Sequence, residues 1–421
     1  MKKETLKNGT RVVFAPIEGT EATTVLVLTK VGSRNESLNL WGASHFIEHM
    51  MFKGTKKRKQ SIDISRELDR FGAGYNAYTG KDITGYYVKI DSNHLETAVD
   101  LLSDMIFHSV YDNTEMEQEK KVIIEEIKMY EENPIMHVED LLESTMFDGS
   151  ALGREIAGTP ESMIAMKRDE VIAYRDAHYI PSEMVVVVAG KIPRGTNALI
   201  EEKFGARKAK DTPERPEACC IRTPGGVGRQ EKSLKQIQLA FGFPTIGRGH
   251  EDVPALKLLS YILGGAMSSR LFIEVRERRG LCYMVRSSAD MYDDVGTFVV
   301  RAGLDAKRLK EASKTILEEL EKMKDGGVKG RELEHAKDHI SGAMKLRLED
   351  SSNLAEFYGR QELFLNDIRS PQEWLKEYQN VSAEDVERVA REVLISEKMS
   401  VAAIGPYKTH EALRESIGML G

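Results

Sequence analysis

The chain has 421 residues, of which 41% are hydrophobic and 30% charged, and its formal net charge is −7. These values are typical of a soluble globular protein with two or three domains, and they exclude the basic surface of a general nucleic-acid-binding protein. No apolar run is long enough to span a bilayer, so we expect no membrane partner. The N-terminus lacks the apolar stretch of a signal peptide, and three cysteines are too few for a disulfide framework, so we expect free thiols and a cytoplasmic location.

Predicted strands and helices alternate along the first half of the chain. β-Branched or apolar runs bounded by turn residues predict strands at residues 11–14, 23–29, 75–78, 83–90 and 184–189. Apolar residues at helical spacing predict helices at residues 42–52, 62–71, 94–108, 114–131 and 135–147. We therefore expect an α+β fold, with mostly antiparallel sheets packed against helices.

A change in composition marks a domain boundary near the middle of the chain. Residues 206–232 are rich in proline, glycine and charge and have no apolar period, which is typical of a linker. We place the linker at residues 211–232, between an N-terminal domain at 1–210 and a C-terminal domain at 233–421.

The second half of the sequence resembles the first. The segment EMEQEKK at 115–121 parallels ELEHAKD at 332–338, and a strand-like run that ends at Gly190 parallels one that ends at Gly405. Two anchors in nearly the same register predict two homologous copies of one α+β unit. Chance similarity between two helix-and-strand segments is the alternative.

The string HFIEH at residues 45–49 is the strongest functional signal in the sequence. On a helix, His45 and His49 lie on one face, one turn apart, so both imidazoles can reach one metal ion. Glu48 flanks the same face, close enough to hold a water molecule on that metal, as in the inverted HxxEH arrangement. A helix with two surface histidines is the alternative, although the apolar residues around the pair argue against solvent exposure.

A catalytic zinc site needs a third protein ligand, and the predicted helix at 114–131 offers one. At about 100° per residue, Glu119 and Glu126 fall within an apolar stripe, where an unpaired charge is costly, whereas Glu125 points away. Glu126 is therefore the better third ligand, and Glu119, two turns earlier, is a candidate to orient a ligand histidine. A solvated, charged helix face is the alternative for this pair.

Three segments, GASHFIEHMMFKGT, NAYTGKDITGYY and EQEKKVIIEEIK, resemble the inverted-motif zinc metallopeptidases, the family of pitrilysin, insulin-degrading enzyme and the mitochondrial processing peptidase. The order and spacing of the motifs agree with that family, and the similarity extends over nearly the whole chain. The resemblance implies one Zn²⁺ per chain on His45, His49 and Glu126, with Glu119 as a supporting carboxylate.

The resemblance also implies a substrate site. Asn76, Ala77 and Tyr78 match the family's edge strand, to which an extended peptide adds as a further strand. Arg276 and Tyr283, in VRERRGLCY, match a pair from the C-terminal domain that holds substrate and stabilises the oxyanion. Without the family, an ordinary hairpin and an arginine-rich loop are the alternatives.

Only the first half is expected to bind metal. At the offset of the repeat, Ala336 and Ala343 stand near the places that Glu119 and Glu126 hold in the first half. Family members enclose peptides in a chamber of four homologous domains, which implies a homodimer of this two-domain chain. The resemblance leaves open whether the arginine–tyrosine pair acts in its own chain or across the dimer.

These residues predict a zinc endopeptidase that hydrolyses peptides or unfolded segments. Glu48 is expected to take a proton from zinc-bound water and to pass it later to the leaving amine. The alternative is a non-catalytic scaffold or processing-partner subunit of the same family, against which the complete ligand set argues. A hydrolase that acts on non-peptide substrates is a third reading, disfavoured by the edge strand and the arginine–tyrosine pair.

Overall fold

The computed structural model describes residues 1–213, 225–365 and 367–418. Within these ranges the chain forms two compact units, each with one β-sheet flanked by helices. The strands of the first sheet are β1 Lys2–Thr5, β2 Arg11–Pro16, β3 Ala22–Thr29, β4 Gly74–Thr79, β5 Thr84–Asp91 and β6 Met184–Gly190. The strands of the second sheet are β7 Val227–Glu231, β8 Gln236–Ile246, β9 Cys282–Met291, β10 Val295–Asp305 and β11 Ser400–Gly405.

In the described part of the chain, eight α-helices lie in the first half of the sequence and seven in the second. Those of the first half of the chain are α1 Ala43–Met51, α2 Ser61–Asp69, α3 Leu95–His108, α4 Asn113–Glu132, α5 Pro134–Met146, α6 Pro160–Ala165, α7 Arg168–His178 and α8 Thr196–Phe204. Those of the second half are α9 Val253–Gly264, α10 Leu309–Lys324, α11 Gly330–Arg347, α12 Ser351–Phe364, α13 Pro371–Asn380, α14 Ala383–Val393 and α15 His410–Ile417. Every strand and helix predicted for the first half is present, with its ends shifted by at most two residues.

The first unit carries the HFIEH helix. It contains Met1–Ile127, the chain from Arg154 to the first gap, and Ala343–Arg369. Its sheet has the strand order β1-β2-β6-β3-β5-β4, in which the β2/β6 pair is parallel and the other pairs are antiparallel. One face of the sheet packs against α1 and α3, so the buried core lies between the sheet and these helices.

The other face of the first sheet is covered by α12, which comes from the second half of the sequence. Leu354 and Tyr358 of α12 pack against Leu26 and Leu28 of β3. At Gly359 a Cβ atom would lie only 2.7 Å from the side chain of Leu28, so the helix backbone approaches the sheet closely at this position. Both faces of the sheet are therefore buried, which explains the continuous apolar run of β6.

The second unit contains Lys128–Gly153, the chain from the first gap to Gly342, and Ser370 onward. Its sheet has the order β7-β11-β8-β10-β9, with the β7/β11 pair parallel and the others antiparallel. One face packs against α9, α10 and α14, and the other is covered by α5, from the first half of the sequence.

The two sheets have equivalent topologies. The order β7-β11-β8-β10-β9 repeats the order β2-β6-β3-β5-β4 strand for strand, including the single parallel pair. Gly190 and Gly405, the anchors of the sequence repeat, end the equivalent strands β6 and β11. The predicted α+β fold with two homologous, mostly antiparallel domains is confirmed.

The predicted domain limits, 1–210 and 233–421, refer to the two homologous halves of the sequence, and they stay a prediction. The compact units differ from these halves because α5 belongs to the second unit and α12 to the first. Much of the predicted linker at 211–232 lies outside the described residues, as do Cys219 and Cys220, but its last part forms β7. Among the described helices, none has both the length and the apolarity needed to cross a membrane.

Candidate metal centre

Helix α1 presents the two histidines of HFIEH on the side opposite its core face. Phe46, Ile47 and Met50 of this helix are fully buried in the core of the first unit. The side chains of His45 and His49 are 13% and 21% exposed, so they are neither solvated nor sealed from water. The reading of the pair as two surface histidines therefore does not describe their surroundings.

Three ligand atoms from two helices face one another. Nε2 of His45 lies 3.2 Å from Nε2 of His49, and Oε2 of Glu126 on α4 lies 3.9 Å and 3.5 Å from these two nitrogens. Ligands at the usual zinc bond lengths around a tetrahedral ion are about 3.3 Å apart. The three atoms thus form one triangular face of a zinc-sized tetrahedron, and the donor set fits this ion.

This cluster is the only one of its kind in the described part of the chain. No other group of at least three His, Cys, Asp or Glu residues there brings its ligand atoms within 4.8 Å of one another. Glu125, the neighbour of Glu126, is exposed, as the helical wheel predicts. On α11, Ala336 is buried and Ala343 is exposed, and neither offers a ligand atom.

Glu119 orients one of the histidines. Its Oε1 lies 2.8 Å from Nδ1 of His49, and its Oε2 forms an ion pair with Nζ of Lys53 at 2.5 Å. A histidine that donates through Nδ1 keeps its Nε2 lone pair free for a metal. Glu119 is nearly buried, and although burial opposes ionisation, the hydrogen bonds from His49 and Lys53 lower the pKa of its carboxyl.

The two histidines have different proton affinities. Burial, and then the nearby charge of His49, lower the pKa of His45 to about 3. Its imidazole is therefore neutral at neutral pH, which is the form that binds metals. Burial also acts to lower the pKa of His49, but the hydrogen bond and charge of Glu119 outweigh it and raise this pKa.

Glu48 stands beside the three ligand residues without being one of them. Its Oε2 accepts a hydrogen bond from the hydroxyl of Thr79, the last residue of β4, at 2.5 Å. Burial, opposed by Thr79 and His49, raises the pKa of the Glu48 carboxyl. A carboxyl with a raised pKa exchanges protons more readily near neutral pH, which suits a general base.

The strand β4 is the edge of the first sheet and borders α1. Of its predicted substrate residues, Asn76 is exposed and its side chain accepts a hydrogen bond from the backbone N–H of Ala77 at 2.9 Å. The hydroxyl of Tyr78 donates to Glu356 of α12. The edge position agrees with the prediction, while the Tyr78 side chain contacts α12 and is not free to reach along the edge.

Arg276 and Tyr283 lie together in the second unit. The Arg276 guanidinium stacks 5.2 Å from the centre of the Tyr283 ring, which is 74% exposed. Arg276 belongs to the π-helical turn Phe272–Glu277, a rare conformation that is frequent at functional sites. Both residues line a cavity of about 730 Å³, together with the C-terminal end of α9 and the start of β9.

Sequence reasoning missed three residues that hold the centre in place. Thr79 binds Glu48, Lys53 binds Glu119, and Glu36 accepts hydrogen bonds from the start of α1. Lys53 lies four residues after His49, where a helical projection places it near that histidine, so it had a local signal. Thr79 is distant from Glu48 in sequence, and Glu36 precedes its partners by only six and eight residues but matches no recognised capping pattern, so neither had a signal.

Both halves of this chain match known protein families, and the whole chain is similar to known proteins. Residues 11–160 match the insulinase family (peptidase family M16), and residues 165–340 match the peptidase M16 inactive domain. The uncharacterized zinc protease YmxG of Bacillus subtilis is 36% identical over 96% of this chain and 98% of its own length. An uncharacterized zinc protease of Streptomyces coelicolor is 34% identical over 98% of this chain and 91% of its own length.

A solved structure agrees with the fold. The crystal structure of a protease from Helicobacter pylori superposes with a TM-score of 0.91 at 26% identity, covering 96% of this chain and 99% of that one. The relatives are zinc proteases by name, and the matches extend over nearly all of each chain. The chain therefore belongs to peptidase family M16, the insulinase family of zinc proteases.

Proposed function

We propose that the chain is a zinc endopeptidase that hydrolyses peptides and unfolded segments, with one Zn²⁺ held by His45, His49 and Glu126. The observation that carries the proposal is the triangle of ligand atoms, with edges of 3.2, 3.5 and 3.9 Å, flanked on the same helix by the carboxylate of Glu48. Three protein ligands with an open side are the arrangement of catalytic zinc sites, whereas structural sites are closed by four.

Bound zinc supplies Lewis acidity, which lowers the pKa of water and polarises a scissile carbonyl. Glu48 then acts as the general base: its carboxylate accepts the proton of the attacking water and donates it to the nitrogen of the leaving amine. Thr79 occupies one carboxylate oxygen of Glu48 and leaves the other for this proton. Glu119 holds His49 in the tautomer that presents Nε2 to the metal.

The substrate is proposed to bind as a strand on the free edge of β4. The exposed edge beside α1 favours an extended backbone over a folded protein. A strand at this edge lies alongside Asn76, Ala77 and Tyr78. In the β4/β5 register the backbone groups of Asn76 and Tyr78 face β5, so Ala77 is the one of the three that exchanges main-chain hydrogen bonds with the substrate, after its N–H releases the Asn76 side chain. Recognition of this kind depends little on side chains, so we expect broad sequence tolerance.

Arg276 and Tyr283 are proposed to bind substrate and to stabilise the oxyanion. A phenol and a guanidinium are suitable donors toward developing negative charge. Three observations within the second unit support this role: the Tyr283 ring is exposed, the Arg276 guanidinium stacks on it, and both residues line a cavity. We also propose that the chain works as a homodimer in the cytoplasm, where the thiol of Cys282 stays reduced.

The test is a digest of a peptide library by the purified full-length chain, read by mass spectrometry. We expect cleavage that disappears with a chelator, returns with Zn²⁺, and is absent from His49→Ala. Cleavage that survives both the chelator and the substitution would refute the proposal. A chain that binds zinc but cleaves nothing would instead favour the non-catalytic scaffold. A single-chain mass in light scattering would rule out the homodimer.

A further inference from the structure

Helix α1 begins without a cap of its own. Its N-terminal flanking residue is Gly42, which has a left-handed conformation with φ of 92° and no side chain to accept a hydrogen bond. The first N–H groups of any helix lack partners within the helix, and leaving them buried without a partner is costly. Ala43 and Ser44 are fully buried, so water cannot serve, and an acceptor must come from elsewhere in the chain.

Glu36 supplies that acceptor. Its Oε2 accepts the backbone N–H of Gly42 at 2.7 Å, and its Oε1 accepts the backbone N–H of Ser44 at 2.6 Å. The side chain is 3% exposed, so these bonds act in a dry environment where hydrogen bonds to a charge are strong. A negative charge is also favoured at the positive end of the helix dipole. The carboxylate thus fixes the first turn of α1, where His45 follows Ser44.

The same segment of chain also holds the turn that follows β4. The backbone N–H of Ser33 donates to the carbonyl of Gly80, and that of Arg34 to the carbonyl of Lys81, both at 3.1 Å. At Gly32 a Cβ atom would lie 2.2 Å from the Gly80 carbonyl oxygen, so the two backbones are in close contact. Residues 32–36 therefore tie the start of α1 to the turn next to Thr79.

We propose that Glu36 is a positioning residue of the metal centre, whose carboxylate fixes the start of α1 and thereby the direction in which His45 presents Nε2. The proposal rests on the zinc site proposed above. His45 needs such support more than His49 does, because Nδ1 of His45 is buried and has no hydrogen-bond partner among the described residues. None of the neighbours that the structure describes holds the His45 ring through Nδ1 as Glu119 holds His49, so the orientation of this ring depends on the backbone that carries it.

Burial makes the ionised form of Glu36 unfavourable. A positioning role can be distinguished from a purely stabilising one by experiment. Burial raises the pKa of Glu36 to about 7, against the lowering effect of its hydrogen bonds and of Arg154. Tyr174, whose hydroxyl lies 3.2 Å from that of Ser44, is the other titratable group that faces this carboxylate. A group that served stability alone would give a variant whose loss of zinc affinity simply follows its loss of stability.

The test compares Glu36→Gln with Glu362→Gln in the full chain. Glu362 is a matched control: it is also 3% exposed, but it pairs with Lys3 and Arg11 beside β1 and β2, at the edge of the sheet opposite β4. Zinc affinity is measured by competition with a chelator, and the unfolding midpoint of each metal-free variant is measured alongside. We expect Glu36→Gln to bind zinc about 10-fold more weakly, and Glu362→Gln to bind it as the unsubstituted chain does.

Unchanged zinc affinity in Glu36→Gln would overturn the inference, and so would an equal loss in both variants. If Glu36→Gln does not fold, Glu36→Asp takes its place, because it keeps the charge but withdraws the carboxylate by one methylene. Affinity of Glu36→Asp equal to that of the unsubstituted chain would likewise overturn the inference. Failure of the zinc site itself has a different signature, since the unsubstituted chain and His49→Ala would then bind zinc equally.

Discussion

Thr79 and Glu48 are joined by a hydrogen bond of 2.5 Å, from the threonine hydroxyl to Oε2 of the carboxylate. Thr79 ends the edge strand β4, and Glu48 lies on α1, the helix that carries the HFIEH motif. This bond links the strand that is proposed to bind substrate to the residue that is proposed to move the proton. The position of the proposed base therefore depends on the strand that is proposed to bind substrate.

Replacing Thr79 with valine removes this hydroxyl at nearly constant volume. A hydrogen bond to a charged group contributes about 1.5–3 kcal/mol, so we expect kcat to fall about 10-fold or more while the zinc content is unchanged. Thr79→Ser keeps the donor and should retain most of the activity. The measurement is the kcat of each variant on a quenched peptide, with the zinc content determined in the same samples. Equal losses of kcat in Thr79→Val and Thr79→Ser would show that the hydroxyl does not matter for Glu48.

Glu48→Gln tests the general base directly. The substitution keeps the shape of the side chain and leaves all three ligand atoms in place, but an amide cannot accept the proton. We expect the variant to hold zinc normally and to lose at least about 100-fold in kcat. Peptidase activity near that of the unsubstituted chain would show that another group takes the proton.

Two neighbouring glutamates of α4 form a matched pair of variants. Glu126 faces the histidines, and Glu125 is exposed. Losing one of three ligands should weaken zinc binding by at least about 100-fold, because even an outer carboxylate contributes about 10- to 100-fold. We therefore expect Glu126→Gln to fail to retain zinc through dialysis, and Glu125→Gln to retain it. Similar zinc contents in both variants would remove Glu126 from the ligand set.

Tyr283→Phe removes the phenol that is proposed to stabilise the oxyanion. Loss of one such donor typically costs about 100- to 1,000-fold in kcat, and we expect a loss of that order with unchanged zinc affinity. Tyr261→Phe is the control, because Tyr261 belongs to the same unit and stacks on His339. Full activity of Tyr283→Phe would leave the exposed ring without a catalytic role.

The buried carboxyl of Glu36 predicts a pH dependence of stability. Because burial raises its pKa from the ordinary 4.5 to about 7, the folded chain keeps a proton that the unfolded chain releases between these values. The free energy of unfolding therefore falls as the pH rises through this window, by an amount on the order of 3 kcal/mol. Arg154 stays charged and Tyr174 neutral over this range, so neither adds to the change.

Glu36→Gln has no proton to release and should lack this component. We expect the stability difference, unsubstituted chain minus variant, to be larger at pH 5 than at pH 8. Denaturant titrations of the metal-free proteins at both values measure it. A difference that does not change with pH would show that Glu36 titrates at its ordinary value.

The local part of the metal centre was predictable from the sequence. Helical geometry alone places His45, His49 and Glu48 on one side of α1, and the same geometry distinguishes Glu126 from Glu125. Helical and strand periods likewise predicted ten elements of the first half within two residues, although β1, α6, α7 and α8 were not among them. These are properties of neighbouring residues, and the sequence carries them directly.

What the sequence did not predict depends on contacts outside any one helix or strand. Glu36 and Thr79 act through backbone and side-chain bonds that exist only in the folded chain, and their residue types are common in loops and strand ends. The sequence also did not predict that α5 packs in the second unit and α12 in the first, for the same reason. The amphipathic pattern of α5 is ordinary and that of α12 is weak. Even a clear pattern shows only that a helix buries one face, without showing which sheet it covers.

The position of α12 on the first sheet has a consequence for folding during synthesis. Leu26 and Leu28 lie beneath this helix, which the ribosome completes only when residue 364 has been added. The last strand of the first sheet ends at Gly190, so at about 5–20 residues per second this sheet waits roughly 10 to 35 seconds with an apolar face exposed. We therefore expect the nascent N-terminal half to expose a surface that chaperones recognise, and residues 1–213 expressed alone to aggregate. A chain that stops before α12 is expected to lack the support that the sheet gives to the candidate metal centre.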